Sequence, residues 1–295
     1  MGNKRKAKRQ QINTFTHVKG ALDQFYSDMD KLQKDPIFGI GLEPGYTFLN
    51  QLLVGKDTPR FSIISVPEKY WTTAFGASLV AALSIRFNRS IGYFSLSVSS
   101  SYFTGVLLSI VADVDPHLMR YGRLPSEQWP DLAAASKDLV ETEIYVDDAR
   151  PLTMKAFRKR AHKMMKKSKI DLFVIDNLQY ISCKKYHKNK ARNYQKICQS
   201  LKDISEELYV SILLMSEFSG EYDPDEIDAG NDCQSLPFLQ YYGKVPDAEL
   251  CLIPGKRDRG DRLFNLHICR NREGSTGTIK LRQNLCNGGF IDSKR

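Results

Sequence analysis

Residues 61–75 read FSIISVPEKYWTTAF. The first five residues are an apolar run of strand type, and a helix is expected to open at Thr72 and Thr73 after a short turn. Strand, turn and helix in that order form the frame of a phosphate-binding loop, whose pattern is G-x-x-x-x-G-K-[ST]. With Thr72 on the final Ser/Thr, Ser65 takes the first Gly position, Tyr70 the second and Trp71 the Lys position. The second Gly normally lets backbone N–H groups wrap phosphate with no Cβ in the way, and Tyr70 puts a large side chain there. The Lys normally brings charge to the β/γ-phosphates, and Trp71 has none. Lys69 stands two positions early. The stretch reads either as an ordinary strand–turn–helix or as a phosphate loop whose frame outlived its chemistry.

A chain of 295 residues accommodates one large domain plus an arm, or two small domains. Lys and Arg total 43 against 34 Asp and Glu, a net charge of +9 and a pI near 9.1, which favours an anionic partner. No apolar run reaches the roughly 18 residues of a membrane span. Residues 1–11 carry Lys4, Arg5, Lys6, Lys8 and Arg9 and lack an apolar stretch, so they read as a basic flexible tail and not a secretory signal. Six cysteines, Cys183, Cys198, Cys233, Cys251, Cys269 and Cys286, form no C-x-x-C pair and read as reduced thiols of a cytoplasmic protein, with no metal site.

Residues 12–35 repeat apolar side chains at helical spacing (Val18, Leu22, Phe25, Met29, Leu32) and end before Pro36. This segment reads as a linker helix, with the main domain over 36–295. Strands are expected at 61–65, 91–96, 143–146, 171–176, 210–215, 248–253 and 263–269. Helices are expected at 45–53, 72–86, 100–112, 125–139, 153–168 and 191–207. The alternation calls for an α/β fold with a mostly parallel central sheet flanked by helices. The strand DLFVID at 171–176 is apolar throughout and ends in a carboxylate. Such a strand suits the buried centre of a parallel sheet, and Asp176 then sits at the strand end where these sheets place ligands. It reads as a Mg²⁺-holding Asp or as a cap of the next turn.

Several segments in this order resemble the C-terminal RecA-like domain of DnaB-type replicative helicases, a P-loop NTPase fold. Gly39 to Tyr46 with Leu49-Asn-Gln-Leu leads into the first strand, and Asn88 to Leu96 resembles a second strand that ends Ser-Leu-Glu in the family. Tyr121-Gly-Arg-Leu with Trp129, Ile144 to Asp148, Val174 to Gln179, and Asn271-Arg272 with Gly274 to Thr278 follow. The likeness runs from about residue 12 to about residue 291 and lacks the family's N-terminal primase-interacting domain.

The resemblance implies roles position by position. The P-loop Gly and Lys fall on Tyr70 and Trp71, while the P-loop Thr falls on Thr72, followed by Thr73. The water-polarising Glu falls on Ser97, the Mg²⁺-holding Asp on Asp176 and the γ-phosphate-sensing Gln on Glu217. The basic pair that reaches a neighbouring subunit, with its arginine finger, falls on Arg270 and Arg272. A channel loop with Lys184, Lys185, His187, Lys188, Lys190 and Arg192, interleaved with Tyr180 and Tyr186, is a candidate DNA contact or a solvated basic loop. A second channel loop instead carries six carboxylates between Glu221 and Asp232. The basic helix 153–168 reads as a solvated face. These positions imply a degenerate ATPase site in a replication protein that accompanies a helicase subunit, a second copy of itself, or DNA. The alternatives are an active helicase using ATP and Mg²⁺ through an atypical loop, and an oligomeric single-stranded DNA-binding protein.

Overall fold

The computed structural model describes residues 60–67, 71–182, 190–218, 245–254, 262–272 and 276–292, with residues 18, 19, 22, 26, 49, 50 and 53. The chain divides into two compact units, Met1–Leu42 and Glu43–Arg295. In the first, Val18, Lys19, Leu22 and Tyr26 are helical, and Val18, Leu22 and Tyr26 are exposed.

In the second unit the described elements run β1 (Phe61–Pro67), α1 (Trp71–Ala81), β2 (Ile91–Ser95), α2 (Ser100–Ala112), α3 (Pro116–Arg120), α4 (Trp129–Val140) and β3 (Ile144–Asp147). They continue through α5 (Met154–Met165), β4 (Leu172–Asp176), α6 (Lys190–Leu208), β5 (Ser211–Phe218), β6 (Ala248–Pro254), β7 (Arg262–Asn271), β8 (Gly277–Gln283) and β9 (Phe290–Asp292). A π-helical turn, Ala82–Arg86, follows α1.

The nine strands form one sheet in the order β3-β2-β4-β5-β1-β6-β7-β8-β9. Pairing is parallel from β3 to β6, and β7, β8 and β9 add an antiparallel wing. Sequence periodicity did not reveal β8, β9 or the five-residue α3. β8 is mostly half-buried, with only Leu281 buried, and so lacks both an apolar run and a clear alternation, and α3 is too short to build a period.

The two faces of the sheet follow from the two-residue period of a strand. Phe94 and Phe173 point toward α5, where Phe157 closes an aromatic triad with ring centroids 4.8 and 5.9 Å away. Gly92 lies on that face because a Cβ there would meet the Phe173 ring at 2.4 Å. Tyr93 points the opposite way, stacked on Phe103 of α2 at 3.9 Å. Asp176 shares the Tyr93 side. β4 is buried at all five positions, as a central parallel strand requires.

One buried acid in the antiparallel wing makes stability pH-dependent. Glu249 of β6 lies 3.1 Å from Arg270 of β7 and is almost fully buried. Burial outweighs the guanidinium and pushes the carboxyl up from 4.5 to about 7. An acid whose pKa rises on folding stabilises most below its unfolded value and loses that contribution as pH climbs through its folded value. Glu249 should therefore cost stability between pH 4.5 and about 7. The full effect is on the order of a few kcal/mol at most. Urea midpoints across this range should show wild type losing ground to Glu249→Gln as pH rises. A pH-independent difference would mean that Arg270 keeps the carboxylate ionised throughout.

Candidate functional site

The C-terminal ends of β1, β2, β4 and β5 converge because the strands are parallel and in register. Ser95 lies beside Asp176, Asp176 beside Met215, and Val66 beside Glu217. The helix that follows β1 starts at this edge. Side chains from five segments therefore meet over one end of the sheet, the place where open α/β sheets bind ligands.

Asp176 is the centre of the cluster and is fully buried. Its Oδ2 accepts three hydroxyls: Tyr93 at 2.9 Å, Thr73 at 3.1 Å and Ser97 at 3.3 Å. Its Oδ1 is buried and has no hydrogen-bond partner among the described residues. Burial pushes the Asp176 carboxyl up to about 6, against the three hydroxyls, which lower it, and Glu217 adds a smaller upward push. Tyr93 is held well above the usual phenol range by burial first and by the Asp176 charge second. Gly76 of α1 makes room for this phenol, since a Cβ there would sit 2.8 Å from the Tyr93 hydroxyl.

Glu217 is the second carboxylate. Its Oε1 accepts Asn177 Nδ2 at 2.7 Å and makes a long contact of 3.5 Å with the Thr72 hydroxyl. Gln179 clamps the same strand end. It accepts the Glu217 N–H at 3.1 Å and donates to the Glu217 carbonyl at 2.6 Å and to Ser216 Oγ at 3.1 Å. Among the described residues no lysine or arginine forms an ion pair with Asp176 or Glu217.

The expected residues are thus partly assembled. Thr72, Thr73, Ser97, Asp176 and Glu217 come together, but the hydroxyl on Asp176 belongs to Thr73, one residue later than expected for the metal-binding Thr. Thr72 turns to Glu217 instead. Counted from Thr73, the Lys position falls on Thr72, the second Gly on Trp71 and the first Gly on Val66. The frame shift leaves both losses in place. Tyr70 lies outside the described residues, and Trp71 opens α1. Sequence reading missed Tyr93, because within IGYFS it looks like one more apolar strand residue.

The expected basic pair divides. Arg270 folds back on its own chain, donating to the Pro246 carbonyl at 2.8 Å and to Glu249 at 3.1 Å. The Arg272 side chain is 57% exposed and rests on Asp247 at 3.1 Å. Lys190 and Arg192 are exposed on the first turn of α6, whereas Lys184, Lys185, His187 and Lys188 lie outside the described residues, as do the six carboxylates between 221 and 232. Tyr180 is about half exposed.

The donor set suits a nucleotide only in part. A buried Asp with a free oxygen beside a Thr hydroxyl suits a hydrated Mg²⁺. The surrounding groups do not suit a triphosphate. Ser97 cannot take a proton from water at neutral pH, and Glu217 adds a second carboxylate at the same strand ends, which would repel a phosphate bound there.

Residues 41–227 match the profile of the DnaB-like helicase C terminal domain. The chain belongs to that family. It is 29% identical over 298 residues to the replicative DNA helicase DnaB of Rickettsia typhi (strain ATCC VR-144 / Wilmington), covering 91% of this chain and 60% of that protein. It is 23% identical over 284 residues to the replicative DNA helicase DnaC of Bacillus subtilis (strain 168), covering 93% and 62%. The DnaB-like chain spans about three fifths of the length of these curated relatives. Among solved structures, a separately solved ATPase domain superposes with a TM-score of 0.78 at 18% identity, over 94% of this chain and 99% of that one. A DnaB-like replicative helicase, described with its interactions with primase, superposes at 0.74 and 18%, over 94% and 67%. The fold is the RecA-like one of those ATPase domains. Among the described residues of this DnaB-like chain, no helix is long and apolar enough to cross a membrane.

Proposed function

We propose that this DnaB-like protein works in DNA replication with a silent ATPase site, as an accessory or regulatory subunit that binds a helicase subunit, DNA, or both. The observation that carries this reading is the pairing of Asp176 with Glu217 at the strand ends, with protein hydroxyls and amides as their partners and no cation among the described residues. A lysine in the Thr72 position would neutralise both the phosphates and this acidic pair. Thr72 supplies only a buried hydroxyl. One further change, Ser97, points the same way, and it would need its own compensation in an active enzyme.

The exposed Arg272 keeps a second role open to this chain. A subunit without hydrolysis of its own still presents a guanidinium to a neighbour's nucleotide, and such fingers are worth about 10³–10⁵-fold in other NTPases. This supports a mixed assembly with a competent helicase. Cytoplasmic residence is part of the same reading.

Calorimetric titration with ATP and Mg²⁺ tests it. No saturable heat is expected below about 1 mM, a binding free energy weaker than about 4 kcal/mol. Co-migration with a DnaB-type helicase from the same cell in size-exclusion chromatography is expected. Micromolar binding with DNA-stimulated phosphate release would replace the reading with that of an active helicase.

A further inference from the structure

Helix α5 carries cations far in excess of its needs as a structural element. Its inner side buries Phe157 and Ala161 completely. Two of its cations are matched: Arg158 lies 3.0 Å from Glu207 of α6, and Arg160 lies 3.3 Å from Asp147 and donates to the Ala149 carbonyl at 2.6 Å, while the His162 ring lies 3.3 Å from the same Glu207. Glu143, the other carboxylate nearby, is engaged by the hydroxyls of Tyr145 and Ser168. Lys155, Lys159, Lys163 and Lys166 form the remaining stripe. All four are exposed, and none has an acidic partner among the described residues. Lys167 and Lys169, in the turn that follows, are also exposed.

Like charges four residues apart weaken a helix, so the stripe works against the stability of α5. Its steps of four and three residues advance roughly 6 and 4.5 Å along the axis, a rise that lets successive lysines meet successive phosphates of one strand. Beside it lies a shallow, open depression lined by Ala156, Lys159, Arg160, His162, Lys163 and Lys166. No large apolar side chain is exposed between residues 153 and 169. A protein partner would want an apolar anchor at the centre of its interface, and a membrane would want an apolar wedge. A phosphate backbone wants neither.

We propose that the lysine face of α5 binds the phosphate backbone of a nucleic acid strand on the outside of the domain. The inference rests on the DNA-binding part of the proposed function and is independent of the nucleotide site.

The test compares two charge-matched variants of the full chain by fluorescence anisotropy with a labelled oligothymidylate over a salt series. One is Lys159→Gln, Lys163→Gln, Lys166→Gln, and the other, the control, is Arg123→Gln, Lys137→Gln, Lys280→Gln. All six positions are exposed, so both variants should fold as wild type does, checked by circular dichroism. The first should bind at least about tenfold more weakly, and its slope of log affinity against log salt should be shallower by about 2, from roughly 0.7 per lost phosphate contact. The control should match wild type in slope. Equal losses in the two variants would overturn the proposal, as would absence of oligonucleotide binding by wild type. So would a loss seen only with phosphatidylserine vesicles or polyglutamate. ATP turnover by wild type would defeat the silent-site reading and leave this result standing.

Discussion

Trp71→Gly, Thr72→Lys, Ser97→Glu and Glu217→Gln, combined in one chain, should bind ATP with Mg²⁺ at least about 10- to 100-fold more tightly than the wild type does, a gain of roughly 1.4–2.7 kcal/mol. The design follows the hydroxyl geometry. Thr73 donates to Asp176 at 3.1 Å, and if it is the residue that would face Mg²⁺, the residue before it is where a lysine would reach the β/γ-phosphates. Glu217→Gln removes the carboxylate beside Thr72, and Ser97→Glu supplies a proton acceptor, a role worth roughly 10²–10⁴-fold in turnover. Isothermal titration calorimetry reads the gain directly. The alternative register, Tyr70→Gly with Trp71→Lys in place of the first two changes, should recover nothing, because its lysine would stand one residue too early. Recovery with that second design alone would show that Thr72 is the metal-side residue.

Asp247→Ala should destabilise the fold by about 2–4 kcal/mol, because it removes the acceptor of a buried N–H and the nearer partner of a largely buried lysine. Asp247 lies just before β6 and is nearly buried. Its Oδ2 accepts the Phe61 N–H at 2.9 Å and Lys202 Nζ at 2.6 Å, and its Oδ1 meets Arg272 at 3.1 Å. One side chain thus ties the start of β1, helix α6 and the end of β7 together. Removing it leaves the Lys202 ammonium, whose side chain is only 15% exposed, with the more distant and exposed Glu206 at 3.4 Å as its remaining carboxylate partner. Urea unfolding measures the loss. Lys202→Met in the Asp247→Ala background should restore part of it by removing a charge that Glu206 alone compensates. Arg272→Ala should cost less than about 1 kcal/mol, since an exposed ion pair is worth little. A loss below about 1 kcal/mol for Asp247→Ala would mean that Glu206 and water together satisfy Lys202.

The frame of the domain was legible because it is written in local patterns. The apolar runs at 61–65, 91–96 and 171–176 and the helical spacing at 100–112 and 191–207 are buried for the same reason that they are periodic. The antiparallel wing was less legible, because β8 is half exposed and its residues show no consistent alternation. Asp247 gave no signal at all: an Asp before a strand looks like a turn residue. Its role depends on Phe61 and Lys202, which lie 186 and 45 residues away in the chain.

The opening stretch shows where the division falls. By itself the sequence determined that a strand starts at Phe61 and that a helix is under way by Thr72, and that neither Gly nor Lys stands where a phosphate loop needs them in either register. Residue identity decides both points. The tertiary structure alone decided that Thr73 faces Asp176 and Thr72 faces Glu217, and that Tyr93 joins them. A threonine pair reads the same in either register. Which hydroxyl reaches the carboxylate depends on the phase of α1 against β4, and that phase is set by long-range packing of side chains more than a hundred positions apart.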